Sequence, residues 1–351
     1  MSHSGHERVA GTTWDPPGSW TRILAIDAHT EGEPLRVVLS GFPDGGGDSI
    51  LERRRRTRRT HDHLRRALMW EPRGHADMYG CLVGPAVTPH ADFGVLFTHN
   101  EGFSTMCGHG IIGVVTVMLE CGLLDRPGDA PEVVIDTPAG VVRARARRED
   151  GRVRRVSFVN VPSFAARLDA RVDVNGVGAV RYDLAYGGAF YAYVDASDFG
   201  LVLEPEETPR LVDLGRRIKE AVQASDPPYH PEEPDLGYLY GTIFVGPARG
   251  DGGHSRNVCV FADGEVDRSP TGTGVSGRLA LHHARGELAE GTEITIESIL
   301  GTRFSARIVG VDRVGPFDAV VPEVSGRAWI TARSEFFIDP EDPLAHGFLL
   351  R

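Results

Sequence analysis

The chain contains one strand–turn–helix unit twice. Residues 95–124 align without a gap on residues 259–288, at a constant offset of 164. The aligned identities include Phe97 with Phe261, Gly108 with Gly272, Gly110 with Gly274, and Gly113 with Gly277. In each copy an apolar strand leads into a Gly-x-Gly turn and then a helix. This internal repeat predicts two related domains, with helices that begin at Gly108 and Gly272 and a first helix that ends near Glu120.

The length of 351 residues is sufficient for two domains, each with its own core. We expect a disordered tail over residues 1–20, a first domain over 21–185 and a second over 186–351, with the last segment free to pack back on the first domain. Short predicted strands, separated by glycine and proline residues, occur in both halves together with a glycine-led helix in each. This pattern indicates an α+β (α/β mixed) fold. A further helix is predicted from an N-cap at Asp48 to about Trp70.

Composition excludes several classes of partner. The net charge of −11 argues against nucleic acid or an anionic membrane as a general partner, and no apolar run is long enough to cross a bilayer. The arginine-rich run at 53–59 lies in a predicted helix, and we expect a solvated helix face there. Four cysteines are too few and too scattered for a disulfide framework in a chain of this length. We therefore expect a reduced, cytoplasmic enzyme that acts on a small molecule.

Two observations argue against a cofactor. Lys219 is the only lysine of the chain, and it lies in a polar, predicted helical stretch without a phosphate-binding loop, so a pyridoxal phosphate Schiff base is not expected. The histidines at 61–63 and at 282–283 lack the spacing of a known metal site. We expect neither a cofactor nor a metal.

The residue before the first glycine of each turn differs between the copies. It is Cys107 in the first and Thr271 in the second. A thiol at a helix N-terminus has its pKa lowered by the helix dipole and by unpaired N–H groups, so Cys107 is the candidate base. His109 could donate a hydrogen bond to a substrate or tune the thiol. A thiol opposite a plain hydroxyl predicts proton chemistry on one face of the substrate.

Other polar residues leave alternatives open. The two helix N-termini could together bind a carboxylate through backbone N–H groups. Asp267 could accept a hydrogen bond from a substrate amine, or it could pair with Arg268 or cap a turn. The segment HTEGEP, with Asp27 before it, could form a site or could hydrogen-bond a strand turn.

Four motifs together make the chain resemble the proline racemase family, over residues 22 to about 345. They are DAHTEGEPLRVV, EPRGHADMYG at 71–80, FSTMCGHG and DRSPTGTG. The resemblance implies a diaminopimelate-epimerase-like fold of two pseudo-symmetric domains, each with a mixed sheet around a central helix. The active site would lie in the cleft between them, and the protein is a possible homodimer.

Racemases and 4-hydroxyproline epimerases of that family carry cysteine at both twin positions. Thr271 departs from that pattern and matches the trans-3-hydroxy-L-proline dehydratases of the family. The resemblance then implies Cys107 as the base, with Thr271, His109 and Asp267 as further catalytic residues. The residues that it implies for substrate binding are Gly108, His109, Gly272 and Thr273 for the carboxylate and ring, Asp267 with His109 for the ring nitrogen, and Phe261 and Tyr79 for the apolar wall.

Three alternatives to a dehydratase remain at this stage. A racemase or epimerase could tolerate Thr271 with water as the second acid. A binding protein could keep the cleft without catalysis, although binding alone does not require a thiol. A thiol hydrolase would need a base opposed to Cys107, and His109 is too close along the chain for that arrangement to be assumed.

Overall fold

The computed structural model describes residues 14–350, and within this range eighteen strands join one hydrogen-bonded network. The first half contains β1 Thr21–Thr30, β2 Glu33–Ser40, α1 Ile50–Met69, β3 Tyr79–Gly84, β4 Phe93–His99, β5 Phe103–Ser104, α2 Gly108–Glu120, β6 Glu132–Thr137, β7 Gly140–Glu149 and β8 Arg152–Val159. The second half contains β9 Ser163–Val174, β10 Gly178–Tyr186, β11 Phe190–Asp195, α3 Thr208–Ser225, β12 Leu239–Gly246, β13 Ser255–Phe261, β14 Glu265–Asp267, α4 Gly272–Ala284, β15 Ile294–Glu297, β16 Arg303–Val314, β17 Phe317–Gly326 and β18 Ala328–Ile338. The predicted mixture of sheet and helix is confirmed.

Strand pairing repeats between the two halves. In the first, β4 pairs antiparallel with β3 and β5 and parallel with β6, and β6 pairs antiparallel with β7. In the second, β13 pairs antiparallel with β12 and β14 and parallel with β15, and β15 pairs antiparallel with β16. The helices α2 and α4 fill the same place in each pattern. The duplication in the sequence is therefore also a repeat of topology.

Two further pairings connect the halves. Strand β17 pairs antiparallel with β8, and β18 pairs antiparallel with β1 over almost its whole length. Within the second half, β17 also pairs antiparallel with β9. Among residues 14–350, no helix is long and apolar enough to cross a membrane.

The helices α2 and α4 are buried over most of their length. In α2, every residue from Gly108 to Leu119 is buried, as expected for a helix that is apolar on all faces. In α4, the residues from Gly272 to Leu281 are buried, including Arg278. The Arg278 guanidinium donates hydrogen bonds to the side chains of Ser255 and Asn257, which offsets the cost of its burial. The predicted bounds of α2 and the predicted start of α4 are confirmed.

Helix α1 begins one residue later than predicted. Its N-cap is Ser49 and not Asp48: the Ser49 hydroxyl accepts a hydrogen bond from the Glu52 N–H at 3.1 Å. The Glu52 carboxylate in turn accepts from the Asp48 N–H at 2.9 Å. This Ser-x-x-Glu pattern resembles a capping box, with the glutamate bonded to the N–H one residue before the cap, and it prevails over the single aspartate at that position.

The solvated face predicted for the arginine-rich run was wrong for three of its residues. Arg53, Arg54 and Thr57 are buried. Arg53 donates to the Pro85 carbonyl at 2.6 Å, and Arg54 donates to the Phe103 carbonyl at 3.0 and 2.6 Å. Backbone carbonyls at strand ends need donors when they are buried, and the long guanidinium side chains supply them.

The predicted N-terminal tail falls mostly on residues 1–13, which lie outside the described residues. Within the described part, Trp14 packs edge-on against Trp20 and Phe337, with ring centroids 5.9 and 5.6 Å apart. Asp15 forms an ion pair with Arg22 at 2.7 Å.

The amino ends of α2 and α4 meet backbone to backbone. A Cβ atom placed on Gly108 would lie 2.6 Å from the Gly272 Cα, and one placed on Gly272 would lie 2.8 Å from the Gly108 Cα. Neither distance is compatible with a side chain, and the atoms that it would meet belong to the backbone and cannot rotate away.

We therefore predict that Gly108→Ala and Gly272→Ala each lower the free energy of unfolding by about 1–3 kcal/mol, since the two helix ends must separate. Urea denaturation measures this change. Gly18→Ala is the matched control, because a Cβ there meets nothing within 4 Å. Equal stability of all three variants would contradict the close approach.

Candidate active site

One pocket lies where the amino ends of α2 and α4 meet the strands. The nine site residues predicted from the sequence all line it: Tyr79, Cys107, Gly108, His109, Phe261, Asp267, Thr271, Gly272 and Thr273. Four further lining residues were not predicted: Met106, Tyr191, Tyr240 and Cys259. The free volume is about 10 Å³, room for about one water molecule. The structure is thus closed over the site, and a substrate requires the pocket to open.

Cys107 is the N-cap of α2. Its backbone is extended, and its sulfur accepts a hydrogen bond from the Gly110 N–H at 3.3 Å. The same sulfur lies 3.1 Å from Nδ1 of His109. The helix start and the Gly-x-Gly turn thus place thiol and imidazole in contact.

Burial dominates the protonation of this pair. It raises the pKa of the Cys107 thiol well above its ordinary value, although the Gly110 N–H counteracts the shift. Burial also lowers the pKa of His109 to about 3, with a smaller contribution from the positive charge of Arg268. The lowered thiol pKa expected from the helix end is therefore overridden in the closed pocket, because desolvation disfavours the thiolate more than one N–H donor favours it. The resting pair is a neutral thiol beside a neutral imidazole.

Thr271 occupies the matching position of α4 with a different conformation. Its φ of 66° and ψ of 90° are strained for a β-branched residue, whereas Cys107 is extended. Within residues 14–350, the Thr271 hydroxyl has no hydrogen-bond partner and does not cap its helix. The first N–H groups of a helix lack partners inside it. At α4 these donors are available to an anion in the pocket.

Asp267 lies on β14 and faces the same pocket. Its carboxylate accepts a hydrogen bond from the Ser269 N–H at 2.7 Å. Burial raises the pKa of Asp267 to about 6, and the hydrogen bonds from Ser269 counteract part of the shift. Of the three roles left open for this residue, the turn cap is observed. The pairing with Arg268 is not, since that guanidinium contacts Glu33 at 3.2 Å.

The polar residues in and before the HTEGEP segment have two kinds of surroundings: some pair with nearby arginines, and one lies close to the pocket residue Asp267. Asp27 forms an ion pair with Arg36, and Glu31 accepts a hydrogen bond from the Arg327 N–H. Glu33 is different: it is fully buried, and burial together with the negative charge of Asp267 raises its pKa well above the ordinary value. The sequence left these residues undecided because strand neighbours decide which of them turn inward.

Aromatic side chains form the remaining wall. The Tyr79 hydroxyl lies 2.6 Å from the Ser104 hydroxyl and 3.4 Å from that of Tyr240. The Tyr240 ring stacks on Phe261 with centroids 5.3 Å apart. The Tyr191 hydroxyl lies 2.7 Å from the Thr273 hydroxyl. Tyr191 and Tyr240 come from β11 and β12, outside the duplicated segment, and no motif marks them.

Residues considered for a metal or cofactor lie elsewhere. Lys219 donates a hydrogen bond to the Ala262 carbonyl from α3. His282 pairs with Glu287 at 2.7 Å, and His61 packs against Phe42. Across the described part of the chain, no three histidine, cysteine, aspartate or glutamate side chains are grouped to hold a metal ion.

Comparison with known proteins agrees with this geometry. A family model described as proline racemase matches residues 25–349. The chain is 48% identical over 341 residues to a trans-3-hydroxy-L-proline dehydratase of Colwellia psychrerythraea, covering 96% of each chain. It is 45% identical over 329 residues to a 3-hydroxyproline 2-epimerase of Burkholderia multivorans, covering 94% of this chain and 98% of the relative.

A crystal structure of a hydroxyproline epimerase from Agrobacterium vitis, with bound trans-4-hydroxy-L-proline, superposes with a TM-score of 0.89 at 33% identity. The match covers 94% of this chain and 96% of that one. The matched family model and these full-length similarities agree with the four motifs and the paired helix ends. The chain belongs to the proline racemase family.

Proposed function

We propose that this protein dehydrates trans-3-hydroxy-L-proline to Δ1-pyrroline-2-carboxylate. The observation that carries the proposal is the single thiol at the paired helix ends: Cys107 on one side and Thr271 on the other. The naming of relatives from Colwellia psychrerythraea, Burkholderia cenocepacia and Azospirillum brasilense as trans-3-hydroxy-L-proline dehydratases, at 45–48% identity, supports it. The Burkholderia multivorans relative makes epimerisation of 3-hydroxyproline the second candidate.

The pocket offers complementary groups for each part of this substrate. The carboxylate binds at the helix ends, to N–H groups around Gly272 and Thr273 and beside Gly108. The ring nitrogen binds Asp267 and His109. Tyr79 and Phe261 contact the apolar ring atoms. This arrangement leaves the α-carbon between Cys107 and Thr271.

Substrate binding converts the buried thiol into a base. Burial alone disfavours the thiolate, but the substrate nitrogen enters as a cation and lies near the sulfur. A positive charge at that distance favours the thiolate and lowers the thiol pKa. The neutral imidazole of His109, with Nδ1 at 3.1 Å from the sulfur, can accept the thiol proton on its way out.

Stereochemistry explains why one thiol is enough. In the trans isomer the C3 hydroxyl lies opposite the carboxylate, and so does the α-hydrogen. The hydroxyl and the α-hydrogen are therefore on the same face of the ring. Cys107 removes the α-proton as a thiolate, and the resulting thiol protonates the departing hydroxide, which leaves as water. The thiolate is regenerated, and no acid is required on the Thr271 face.

Thr271 then excludes racemisation. A hydroxyl is too weak an acid to protonate the α-carbon from the opposite face at a useful rate, and its proton would leave an alkoxide behind. We assign Thr271 to holding the substrate or a water molecule on that face.

The finer description of the fold also belongs to this proposal. We propose a diaminopimelate-epimerase-like arrangement in which residues 21–185 and 186–351 form two pseudo-symmetric domains around α2 and α4, and close over the substrate to exclude water. The repeated strand pairing supports it. A cytoplasmic location and a homodimer stay predictions.

The proposed reaction predicts turnover of the 3-hydroxy isomer alone. Purified protein is incubated with trans-3-hydroxy-L-proline or trans-4-hydroxy-L-proline, and the pyrroline is reduced to proline and quantified. We expect proline only from the 3-hydroxy substrate, because the C4 hydroxyl is not β to the α-carbanion. Cys107→Ser should lower the rate by about 100-fold or more.

Cys121→Ser is the matched control, since Cys121 is an exposed thiol at the other end of α2. Its rate should equal that of the wild type. Inversion of the 4-hydroxy substrate at C2 without dehydration would instead identify an epimerase.

The raised pKa values of Cys107 and Asp267 predict the pH profile. Both groups act in the ionised form, so kcat/KM must rise with pH. Below the Asp267 pKa of about 6, two protons are lost and log kcat/KM rises with a slope of about two; above it, the slope is about one, from the thiol alone. Asp267→Asn should be slower and should keep a slope of about one throughout. A wild-type profile that is flat from pH 6 to 8 would contradict a buried thiol as the base.

A further inference from the structure

The two copies of the duplicated unit differ at a second chemically important position. At the same offset of 164, Cys259 on β13 aligns with Val95 on β4. The first copy therefore has a thiol at its helix end and a valine on its strand. The second has threonine at its helix end and a thiol on its strand. The second copy thus lacks a thiol at Thr271 but has one at Cys259, on the strand β13 that precedes the helix.

Cys259 belongs to the pocket wall on the side of Thr271 and Asp267. It is fully buried and lines the pocket with both of them. In the antiparallel pair of β13 and β14, Cys259 lies directly opposite Asp267. Side chains of opposed residues leave the same sheet face, with Cβ atoms about 4.5–5.5 Å apart. The thiol and the carboxylate are thus neighbours.

The charge environment keeps this thiol protonated. Burial raises the pKa of Cys259 well above its ordinary value, and the negative charge of Asp267 raises it further. A proton on Cys259 and a negative charge on Asp267 therefore make a donor–acceptor pair.

A second observation marks this wall as one that meets a ligand. The Thr271 side chain is only 5% exposed, and its hydroxyl finds no hydrogen-bond partner in residues 14–350. A buried hydroxyl without a partner is energetically unfavourable. A polar bound molecule that reaches this wall would remove that cost.

The proposed dehydration leaves a proton transfer unassigned. Loss of water gives a cyclic enamine with a C2=C3 double bond, whereas the stable product has a C2=N double bond. The conversion moves one proton from nitrogen to C3. Cys107 lies on the face from which the hydroxyl departed, and the opposite face is lined by Thr271.

We propose that Cys259 and Asp267 convert the enamine to the imine before the product leaves, a step that rests on the proposed dehydration. The C2=C3 electron pair takes the proton of the Cys259 thiol and forms the new C3–H bond. The nitrogen electron pair forms C2=N, and the N–H proton passes to the Asp267 carboxylate. Asp267 then returns that proton to the Cys259 thiolate. The net change is one proton from nitrogen to C3, without oxidation or reduction.

Deuterium labelling tests this assignment. Trans-3-hydroxy-L-proline is turned over in deuterated water with cyanoborohydride present, so that the imine is reduced to proline as it forms. The total proline reports dehydration. Because the reduction gives both enantiomers at C2, D- and L-proline are separated first, and NMR of each then reports which C3 position carries deuterium. We expect the wild type to label one C3 face in about tenfold excess or more, because a fixed donor delivers the deuteron.

Cys259→Val and Cys259→Ala should both label the two C3 faces almost equally, since a released enamine is protonated by solvent. Valine is the residue that the twin strand carries at Val95, and proline formed in the same tube shows that the variant site is folded. Cys81→Val is the control: Cys81 is a buried thiol on β3 that does not line the pocket, and its variant should keep the excess.

Three results would overturn the proposal. Equal labelling of both faces by the wild type would place the conversion in solution. An excess that persists in both Cys259 variants would exclude this thiol as the donor. A Cys259 variant that loses only C2 inversion of the substrate, with C3 labelling unchanged, would assign the thiol to the α-carbon instead. Absence of proline from the wild type would refute the dehydration itself. The amount of proline is measured independently of its deuterium content, so the two failures are distinguishable.

Discussion

The contact between Gly108 and Gly272 fixes the geometry of the whole site. It brings two helix N-termini together without side chains between them, and the residue before each glycine then faces a common space. Cys107 and Thr271 are opposed for this reason, and the donors of both helix ends point to the same pocket. A side chain at either glycine would separate the groups that the proposed chemistry needs in contact. The strand pairings that join the halves, β8 with β17 and β1 with β18, hold these helix ends in place.

Burial gives the site its second property. It raises the pKa of Cys107 and of Asp267 and lowers that of His109, so burial favours the neutral form of each group. A charged substrate changes this balance, because its own charges replace the missing solvent. In a site with little water, electrostatic interactions with a carbanion are stronger than at a surface. In the proposed mechanism the substrate therefore activates the thiol, and the helix end alone does not.

The sequence predicted those parts of the site that lie on the duplicated turns. The Gly-x-Gly turns before apolar runs identified α2 and α4. The residues of the two turns, 107–109 and 271–273, line one pocket. Tyr191 and Tyr240 were missed because register between distant strands decides which side chains reach a pocket, and local pattern does not contain that information. The burial of Arg54 was missed for a related reason: its acceptor, the Phe103 carbonyl, is 49 residues away. Cys259 could have been found, because the same alignment that singled out Thr271 sets it against Val95.

The central claim is that one thiol removes the α-proton and protonates the leaving hydroxyl on the same ring face. The most direct test is cis-3-hydroxy-L-proline in deuterated water, because its hydroxyl lies on the face opposite the α-hydrogen. The account predicts that this isomer exchanges its α-hydrogen for deuterium with retention at C2 and forms pyrroline far more slowly than the trans isomer, because the Cys107 thiol cannot protonate its hydroxyl. Dehydration of the cis isomer at a rate comparable to that of the trans isomer would show that a group on the Thr271 face protonates the hydroxyl, and would contradict the account.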